Sequence, residues 1–279
     1  MSSWYDETFE GKTRYGVLVR DVLFSAKSDF QKIEILDTVH YGPVLVIDGI
    51  FMTGEKEEHF YHEMLVQPAM TTAARMARVL IIGGGDGGTA REILRHPGVR
   101  SVVIVEIDPV VVEACRAHMP TLSTAWSDPR LDLIIGDGIA YVKRKDVGPF
   151  DIIFLDGCDP VGPAEGLFNA EFYADCKRLL TLDGVFALQT GSPILQQELF
   201  IDTIRALGEV FPRVAPYFGP APLYASDQWS WTLASDRHDH MAIVEERAKL
   251  VEKTAKYYNR DIHMAAFAVP NNLKKILER

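Results

Sequence analysis

The sequence predicts an α/β protein in which a small N-terminal antiparallel β-domain precedes a doubly wound, mostly parallel sheet of the Rossmann-like class. Two patterns support this prediction. Short extended segments separated by turn signals fill residues 15–48. From residue 77 onward, near-continuous apolar runs alternate with helical segments, which is typical of parallel strands buried on both faces. We expect the β-domain to span residues 1–65 and the Rossmann-like domain residues 66–279.

The N-terminal unit is read from three extended segments, GVLVRDVLF, FQKIEILD and GPVLVIDGIFMT. Turn signals at Gly42-Pro43 and Asp48-Gly49 separate them, so an antiparallel arrangement is expected. The next segment, EHFYHEMLVQPAMTTA, has apolar residues at helical spacing and is predicted to form a helix.

The second unit begins with the strand RVLIIGGG, the helix TAREILRH, the strand SVVIVEID and the helix PVVVEACRAHM. The runs LDLIIGD, FDIIFLD and GVFALQT are predicted to be further strands. Ligands of such sheets bind at the carboxyl ends of the strands, so residues at those ends are the candidates for function.

The bulk composition limits the class of protein. The chain has 279 residues, of which 47% are hydrophobic and 24% charged, as in ordinary globular proteins. A net charge of -10 argues against nucleic acid as a partner and mildly favours a cationic substrate. The first residues lack the apolar core of a signal peptide, and no apolar run approaches the roughly 20 residues of a membrane span. With three unpatterned cysteines, a cytoplasmic protein without a membrane partner is expected.

Three features at strand ends predict a nucleoside site. A glycine-rich loop, residues 83–88, lies between a strand and a helix, where glycine allows a tight turn and close approach to a ligand. Glu106 ends the next strand, where an acid accepts hydrogen bonds from ribose hydroxyls, and Asp137 ends a third. A turn used only for packing is the alternative. Asp86 inside the loop would oppose a dinucleotide's pyrophosphate but suits a sulfonium or an ammonium.

Longer motifs carry a specific resemblance. The segments GGGDGGTAREILRHPGV, VEIDPVVVEACR, IGDG and LDGCDPVGPAEGLFNAEFY occur in the order and spacing of spermidine synthases, and YGPVLVIDG, FYHEM, LQTGSP and YYNRDIHMAAFAVP fit as well. The sequence thus resembles the spermidine synthase (polyamine aminopropyltransferase) family from Trp4 to about Pro270.

The resemblance implies a function and an assembly. It implies transfer of the aminopropyl group of decarboxylated S-adenosylmethionine to putrescine, giving spermidine and 5'-methylthioadenosine. The decarboxylated S-adenosylmethionine is a co-substrate, and no cofactor or metal is expected. A homodimer or a higher homo-oligomer is expected.

The resemblance also implies a role for each matching residue. Asp156 would be the catalytic acid-base residue. The residues implied for the donor are Gln31, His62, Asp86, Glu106, Asp137, Gly138 and Pro163. Those implied for the acceptor amine are Tyr61, Asp159, Tyr224 and Trp4.

These residue types suit the chemistry. An alkylamine has a pKa of about 10.4, so a carboxylate that takes its proton helps it to attack the carbon beside the sulfonium. Asp159 offers a second carboxylate for a remote ammonium, although an aspartate before Pro160 also fits simple turn chemistry. Tyr61 and Tyr224 offer hydroxyls and ring faces for cation–π contact.

Three departures from the family pattern leave the acceptor open. Gly157 stands where a serine or another polar residue is common, Met52 where glutamine is frequent, and Glu57 where aspartate is usual. Agmatine, cadaverine or a longer polyamine are alternative acceptors. A methyltransferase that uses intact S-adenosylmethionine and a sensor without catalysis are the rival functions, and Asp86 argues against the first of them.

Overall fold

The N-terminal part of the chain folds into one antiparallel sheet. The computed structural model describes residues 2–9, 11–159 and 162–277. The five strands lie in chain order and each pairs with the next in antiparallel fashion. They are β1 (Ser3–Phe9), β2 (Thr13–Lys27), β3 (Lys32–Thr38), β4 (Gly42–Ile47) and β5 (Ile50–Gly54). This confirms the predicted antiparallel β-unit.

The turn between β4 and β5 shows why the sequence folds locally in this way. Asp48 and Gly49 have φ values of 49° and 88°, the two left-handed residues that a tight hairpin turn requires. The Asp48 carboxylate also accepts a hydrogen bond from the backbone N–H of Lys32 at 2.8 Å, which ties the turn to β3.

Helix α1 (Glu58–Thr72) connects the two sheets and is buried around nearly its whole circumference. It packs against α2 (Gly88–Leu94) and against the strands at one edge of the second sheet. A helix buried on all sides lacks an apolar stripe, and α1 places Glu58, His62, Glu63 and Gln67 in the interior. The predicted boundary at residue 65 falls within this helix.

The second sheet has seven strands in the order β11-β12-β10-β9-β6-β7-β8. The five strands from β10 to β8 are parallel, and β12 and β11 add antiparallel pairs at one edge. Their bounds are β6 (Arg78–Gly83), β7 (Ser101–Glu106), β8 (Leu131–Ile135), β9 (Phe150–Asp156), β10 (Leu180–Gly191), β11 (Arg213–Pro220) and β12 (Gln228–Ser235). The predicted Rossmann-like, mostly parallel sheet is confirmed.

Helices cover both faces of this sheet. Alternate residues of β9 enter different cores, since Ile152 and Phe154 pack in one and Ile153 and Leu155 in the other. The helices are α2 (Gly88–Leu94), α3 (Pro109–His118), α4 (Gly138–Val142), α5 (Ala170–Leu179), α6 (Gln197–Val210), α7 (Glu245–Glu252), α8 (Arg260–Ala266) and α9 (Asn271–Leu277). None of the described helices is both long and apolar enough to cross a lipid bilayer.

The strand order fixes where a ligand can bind. The chain runs from β6 outward through β7 to β8, and then returns to the other side of β6 as β9. The connections therefore diverge between β6 and β9, which leaves a crevice at their carboxyl ends. Gly83 and Asp156 are paired at this point of the sheet.

Candidate active site

A cavity of about 150 Å³ lies at the carboxyl ends of the parallel strands, against β4 and β5 of the N-terminal sheet. The structure brings nine of the twelve predicted site residues to its walls. They are Gln31, Tyr61, His62, Asp86, Glu106, Asp137, Gly138, Asp156 and Tyr224. Residues from seven separate parts of the sequence thus meet in one cavity.

The glycine-rich loop is shaped by close approaches within the protein itself. Gly83 has a φ of 81°, and a Cβ atom there would lie 2.3 Å from the carbonyl oxygen of Asp156. A Cβ atom on Gly85 would lie 2.9 Å from Glu106 Oε2, which instead accepts a hydrogen bond from the Gly85 N–H at 3.1 Å. The absence of side chains therefore lets the loop pass between two acids of the cavity.

Glu106 is buried at the end of β7 and is held by backbone donors. Its Oε1 accepts from the N–H of Asp108 at 2.9 Å, in addition to the contact with Gly85. Burial raises the pKa of Glu106 to about 7. The Glu106 carboxyl group is therefore fully charged, with both oxygens available only as acceptors, when the pH is above about 7.

Asp108 was missed by the sequence analysis. It caps α3 by accepting from the Val110 N–H, and its other oxygen accepts from the Gln31 side-chain amide at 3.1 Å and from Ser28 at 2.7 Å. Gln31 is thereby fixed at the cavity wall. An aspartate directly before proline at a helix start is the signal that could have found this cap.

Asp86 faces a buried histidine. His62 is 1% exposed, with Nε2 3.4 Å from Asp86 Oδ2 and Nδ1 2.8 Å from Glu58 Oε2. Burial opposes the charge on His62, but the two carboxylates raise its pKa well above its usual value. Burial likewise opposes the charge on Asp86, and the imidazolium overcomes this and lowers the Asp86 pKa. His62 is therefore an imidazolium held between two ionised carboxylates, Asp86 and Glu58.

Glu58 continues this buried chain of charges into the protein. Arg91 Nη2 lies 2.6 Å from Glu58 Oε2 and 2.9 Å from Glu92 Oε1. Burial alone would raise the pKa of Glu58, but the hydrogen bonds and charges of His62 and Arg91 lower it to about 2. Glu58 is consequently ionised at neutral pH, and it holds His62 in position.

Asp156 ends β9 and is held by two hydroxyl groups. The Tyr61 hydroxyl donates to Oδ1 at 2.9 Å, and the Thr89 hydroxyl donates to Oδ2 at 2.7 Å. Burial, followed by the negative charge of Asp86, raises the pKa of Asp156. This carboxylate is therefore more basic than usual and its position is fixed. Thr89, at the start of α2, was missed by the sequence analysis, because a threonine in a first turn carries no distinctive signal.

A second cavity of about 70 Å³ adjoins the first and shares Tyr61 and Tyr224 with it. Asp159 lies on its wall, where Oδ2 accepts from the Gln196 amide at 2.6 Å, and burial raises the Asp159 pKa. Glu7 of β1 also lies on this wall and is 7% exposed. Two acids with little access to solvent thus face a space next to Asp156.

Glu7 was missed by the sequence analysis. Its Oε2 accepts from the backbone N–H of Phe51 at 2.8 Å, and burial raises its pKa. The segment WYDETF shows mostly polar residues, so nothing in it indicates that one glutamate points inward. The inward position of Glu7 becomes evident only in the structure, where β1 pairs with β2 and lies beside the second cavity.

The remaining predicted residues and the family departures lie as follows. Trp4 is 68% exposed, and it is not among the described residues that line either cavity. Pro163 belongs to the 3₁₀ helix Gly162–Leu167, and its side chain lies outside the described part of the structure. Met52 and Gly157 line both cavities, whereas Glu57 lines a small neighbouring one, and burial raises its pKa to about 7.

One group of side chains has the ligand atoms that a metal ion would need. Atoms of His62, Asp86 and Asp156 lie within 4.8 Å of one another. Both ring nitrogens of His62 already contact carboxylates, which leaves no free lone pair for a metal. The same arrangement suits an ammonium group, which needs acceptors and negative charge. The expectation of no metal stays a prediction.

Comparison with known proteins identifies two matching families along the chain. Residues 58–243 match the family described as "Spermine/spermidine synthase domain", and residues 3–55 match "Spermidine synthase tetramerisation domain". The polyamine aminopropyltransferase of Prochlorococcus marinus (strain MIT 9313) is 48% identical over 84% of this chain and 82% of its own length. That of Methanocaldococcus jannaschii is 39% identical over 99% of this chain and 95% of its own length.

Two solved structures of spermidine synthases have the same fold as this chain. The crystal structure of spermidine synthase from Thermotoga maritima superposes with a TM-score of 0.94 at 39% identity, covering 99% of this chain and 94% of that one. A spermidine synthase in complex with the transition-state analogue AdoDATO gives a TM-score of 0.95, also at 39% identity, covering 99% of this chain and 95% of that one. The fold agrees with these structures, both domains match, and the relative from Methanocaldococcus jannaschii aligns over almost the full length of the chain. The chain therefore belongs to the spermine/spermidine synthase family.

Proposed function

We propose that this polyamine aminopropyltransferase moves the aminopropyl group of decarboxylated S-adenosylmethionine to putrescine, giving spermidine and 5'-methylthioadenosine. The carrying observation is that Asp86 and Asp156 lie on one cavity that opens beside a second one holding Asp159 and Glu7. Anionic side chains therefore surround the places where a sulfonium, its ammonium and a diamine would lie.

The first cavity suits the donor. Gln31, Glu106 and Asp137 lie on its wall, at or beside the ends of different strands, and provide polar atoms for the adenosine portion. Asp86 is ionised and lies near Asp156, so it pairs with the ammonium of the aminopropyl group. An intact α-carboxylate in that position would be repelled, which argues against the methyltransferase alternative.

Asp156 is proposed as the proton acceptor. The acceptor nitrogen attacks the carbon attached to sulfur, a C–N bond forms and the C–S bond breaks with its electron pair leaving on sulfur. The nitrogen's proton then passes to Asp156. The raised pKa of this carboxyl supports the role, because a stronger base takes the proton more readily. Tyr61 and Thr89 orient its two oxygens.

The second cavity suits the acceptor. Asp159 and Glu7 provide negative charge for the remote ammonium, and the aromatic side chains of Tyr61 and Tyr224 border the path to Asp156. The Tyr224 hydroxyl donates to the Met52 carbonyl at 2.6 Å, which fixes its ring. Contacts of Trp4 and Pro163 with substrate stay predictions.

We also propose a homodimer or a higher homo-oligomer, a proposal that the match of residues 3–55 to a tetramerisation domain supports. A division into domains at residue 65 and a cytoplasmic location stay predictions.

The acceptor is tested with a panel of amines. Turnover with decarboxylated S-adenosylmethionine is measured with putrescine, cadaverine, agmatine and spermidine, and products are identified by mass. We expect the highest kcat/KM with putrescine. A higher value for another amine would overturn the acceptor, while methylated amine formed from intact S-adenosylmethionine would overturn the reaction itself.

The role of Asp156 is tested by Asp156→Asn. The amide keeps the size of the side chain but cannot take a proton, so kcat should fall by about 10²–10⁴-fold. Binding of the donor, measured by calorimetry, should change little. Asp183→Asn, an exposed position on β10, is the matched control and should keep full activity. Wild-type turnover in Asp156→Asn would exclude the proposed base.

A further inference from the structure

The second cavity has an acid on its wall that belongs to a loop and not to a strand. Asp156 is the last residue of β9, whereas Asp159 lies three residues further along the chain. The first and second cavities share five wall residues, which are Met52, Tyr61, Gly157, Cys158 and Tyr224. One elongated amine can therefore extend from Asp156 to Asp159, and the position of Asp159 determines where its far end is held.

Gln196 holds the side chain of Asp159. Its Nε2 donates to Asp159 Oδ2 at 2.6 Å, and this amide is the only hydrogen-bond donor to that carboxylate among the described residues. Burial raises the pKa of Asp159, and the hydrogen bond from Gln196 acts in the opposite direction. Both the position and the charge of Asp159 therefore depend on Gln196.

A backbone donor fixes the orientation of the Gln196 amide. Its Oε1 accepts from the N–H of Ser192 at 2.8 Å, so Nε2 must face Asp159. The Gln196 N–H also donates to the Ser192 carbonyl at 2.9 Å, which joins these two residues a second time. Gly191, with a φ of 76°, leaves room for this contact, because a Cβ atom there would lie 2.8 Å from Gln196 Oε1.

The loop that carries Gln196 is anchored to the second sheet. Residues 192–196 connect β10 to α6, and Gly191 at the end of β10 accepts from the Ser230 hydroxyl of β12 at 2.7 Å. The Gly191 N–H donates to Gln189 Oε1 at 2.8 Å, and the Gln189 amide donates to the Gly157 carbonyl at 3.3 Å. Gln196 therefore joins Asp159 to a well-connected part of the sheet.

The other acid on this wall is held separately. Glu7 Oε2 accepts from the backbone N–H of Phe51, a hydrogen bond within the N-terminal sheet. A change at Gln196 removes the partner of Asp159 and leaves that of Glu7 in place. Its effect on the acceptor can therefore be assigned to one acid.

We propose that Gln196 is a positioning residue that selects the length of the acceptor amine by fixing Asp159 at one distance from Asp156. The inference rests on the proposed function, in which the reacting nitrogen lies at Asp156 and the remote ammonium at Asp159. A fixed carboxylate pairs well with a diamine of one length, because one methylene more or less moves the remote nitrogen out of hydrogen-bond geometry. A carboxylate without its partner moves with the ligand, so it binds each diamine less tightly and discriminates less between them.

The test replaces Gln196 with methionine, which has a similar length and no donor group. With saturating decarboxylated S-adenosylmethionine, the KM of putrescine should rise about 10-fold, as expected for one lost hydrogen bond to a charged partner. The kcat and the KM of the donor should change little. Between putrescine and cadaverine, the ratio of kcat/KM values should move toward one by about 3-fold or more. Gln197→Met, at the exposed neighbouring position, is the matched control and should keep the wild-type values.

A double-mutant cycle shows whether Gln196 acts through Asp159. Asp159→Ala has no carboxylate to hold, so adding Gln196→Met to it should change the acceptor KM by less than about 2-fold. An equal rise in both backgrounds would mean that Gln196 contacts the amine itself or only supports the fold, and it would overturn the proposal. An unchanged KM and unchanged selectivity in Gln196→Met would overturn it as well.

The same assays separate this inference from the transferase proposal. If the wild-type protein forms no aminopropylated amine, detected by mass, the proposed reaction is wrong and the role of Gln196 falls with it. If the wild type forms that product while Gln196→Met keeps the same acceptor KM, the reaction stands and only the role of Gln196 is excluded.

Discussion

Asp86 owes its charge to His62, and we propose that this pairing decides which donor the first cavity binds. Without the imidazolium, burial next to Asp156 would favour the neutral acid. With it, Asp86 stays ionised on the wall of the first cavity, where we propose that donors with and without an α-carboxylate differ. We therefore propose that the choice between donors depends on the charges of Asp86 and His62, and Glu58 holds His62 in place through its contact with Nδ1.

Asp86→Asn should reduce the preference for the decarboxylated donor. The amide keeps the shape but loses the charge, so affinity for decarboxylated S-adenosylmethionine should fall about 10-fold or more while intact S-adenosylmethionine is no longer repelled. Calorimetric Kd values for both compounds measure the ratio. Asp132→Asn on β8, which lines neither cavity among the described residues, is the control. Unchanged Kd values for both donors would exclude this role.

Glu106 should impose a pH dependence on donor affinity. Burial raises its pKa to about 7, so the carboxylate that we propose accepts from ribose hydroxyls forms as pH rises through 7 and is lost as pH falls below it. The KM of the donor should therefore rise at acid pH. In Glu106→Gln the KM should be high at every pH and nearly flat between pH 6 and pH 8. A donor KM that does not vary with pH in the wild type would contradict this.

At this scale the sequence predicted acids at strand ends but not the residues that hold them. Glu106, Asp137 and Asp156 could be predicted because the carboxyl ends of parallel strands meet at one edge. Glu7 and Thr89 could not, since their contacts depend on elements distant in sequence. Trp4 was carried over from the family pattern, and the structure leaves it exposed.

Helix α2 approaches α1 so closely that its first residue must be glycine. A Cβ atom on Gly88 would lie 2.4 Å from His62 Cε1 and 2.6 Å from both ring nitrogens. The His62 ring cannot move away without breaking its contacts with Glu58 and Asp86. Glycine at position 88 is therefore needed to leave room for the His62 ring.

Gly88→Ala should displace His62 and lower activity while the protein remains folded. We expect the donor Kd to rise about 10-fold, because Asp86 loses its ionising partner. Gly208→Ala in α6 is the matched control, since no atom lies within 4 Å of the added methyl group and an alanine there stabilises the helix by about 0.5–1 kcal/mol. Normal donor affinity in Gly88→Ala would show that the ring position is unimportant.

The elements themselves were predictable to different degrees. The strands β6, β7 and β9 are continuous apolar runs, so their burial was evident in the sequence. β1 was not predicted, because its largely exposed residues give no alternating apolar pattern. The polar residues of α1 would ordinarily be placed on a surface, but α2 supplies Arg91 and buries them.

Over the whole molecule, one helix joins distant parts of the chain. Glu63 of α1 has no exposed surface, and its carboxylate accepts from the backbone N–H groups of Lys256, Tyr257 and Tyr258, each at 2.8 Å. Residues 256–258, which precede α8, are thereby fixed against Glu63, the direct neighbour of His62 in the sequence. The fold class could be predicted from strand patterns, but this long-range contact could not, because a lone glutamate in a helix gives no hint of its acceptor role.

Glu63→Gln should destabilise the whole protein. The amide nitrogen cannot accept a hydrogen bond, so the variant loses at least one of the three bonds and leaves a buried N–H unpaired, and we expect a loss of about 2 kcal/mol or more. Urea unfolding measures the change. Glu252→Gln, which alters an exposed contact with the Arg260 N–H, should change stability far less. Equal midpoints for the two variants would show that the buried contact contributes little.

The hydrogen bonds between Glu63 and residues 256–258 have a consequence for folding during synthesis. The strands of the N-terminal sheet can pair as soon as they leave the ribosome, because each partner is its neighbour in sequence. α1 emerges soon afterwards, but the N–H groups that donate to its Glu63 lie nearly two hundred residues downstream and are synthesised much later. We therefore expect Tyr61 and His62 of α1, which line the proposed active site, to reach their final positions only near the end of translation.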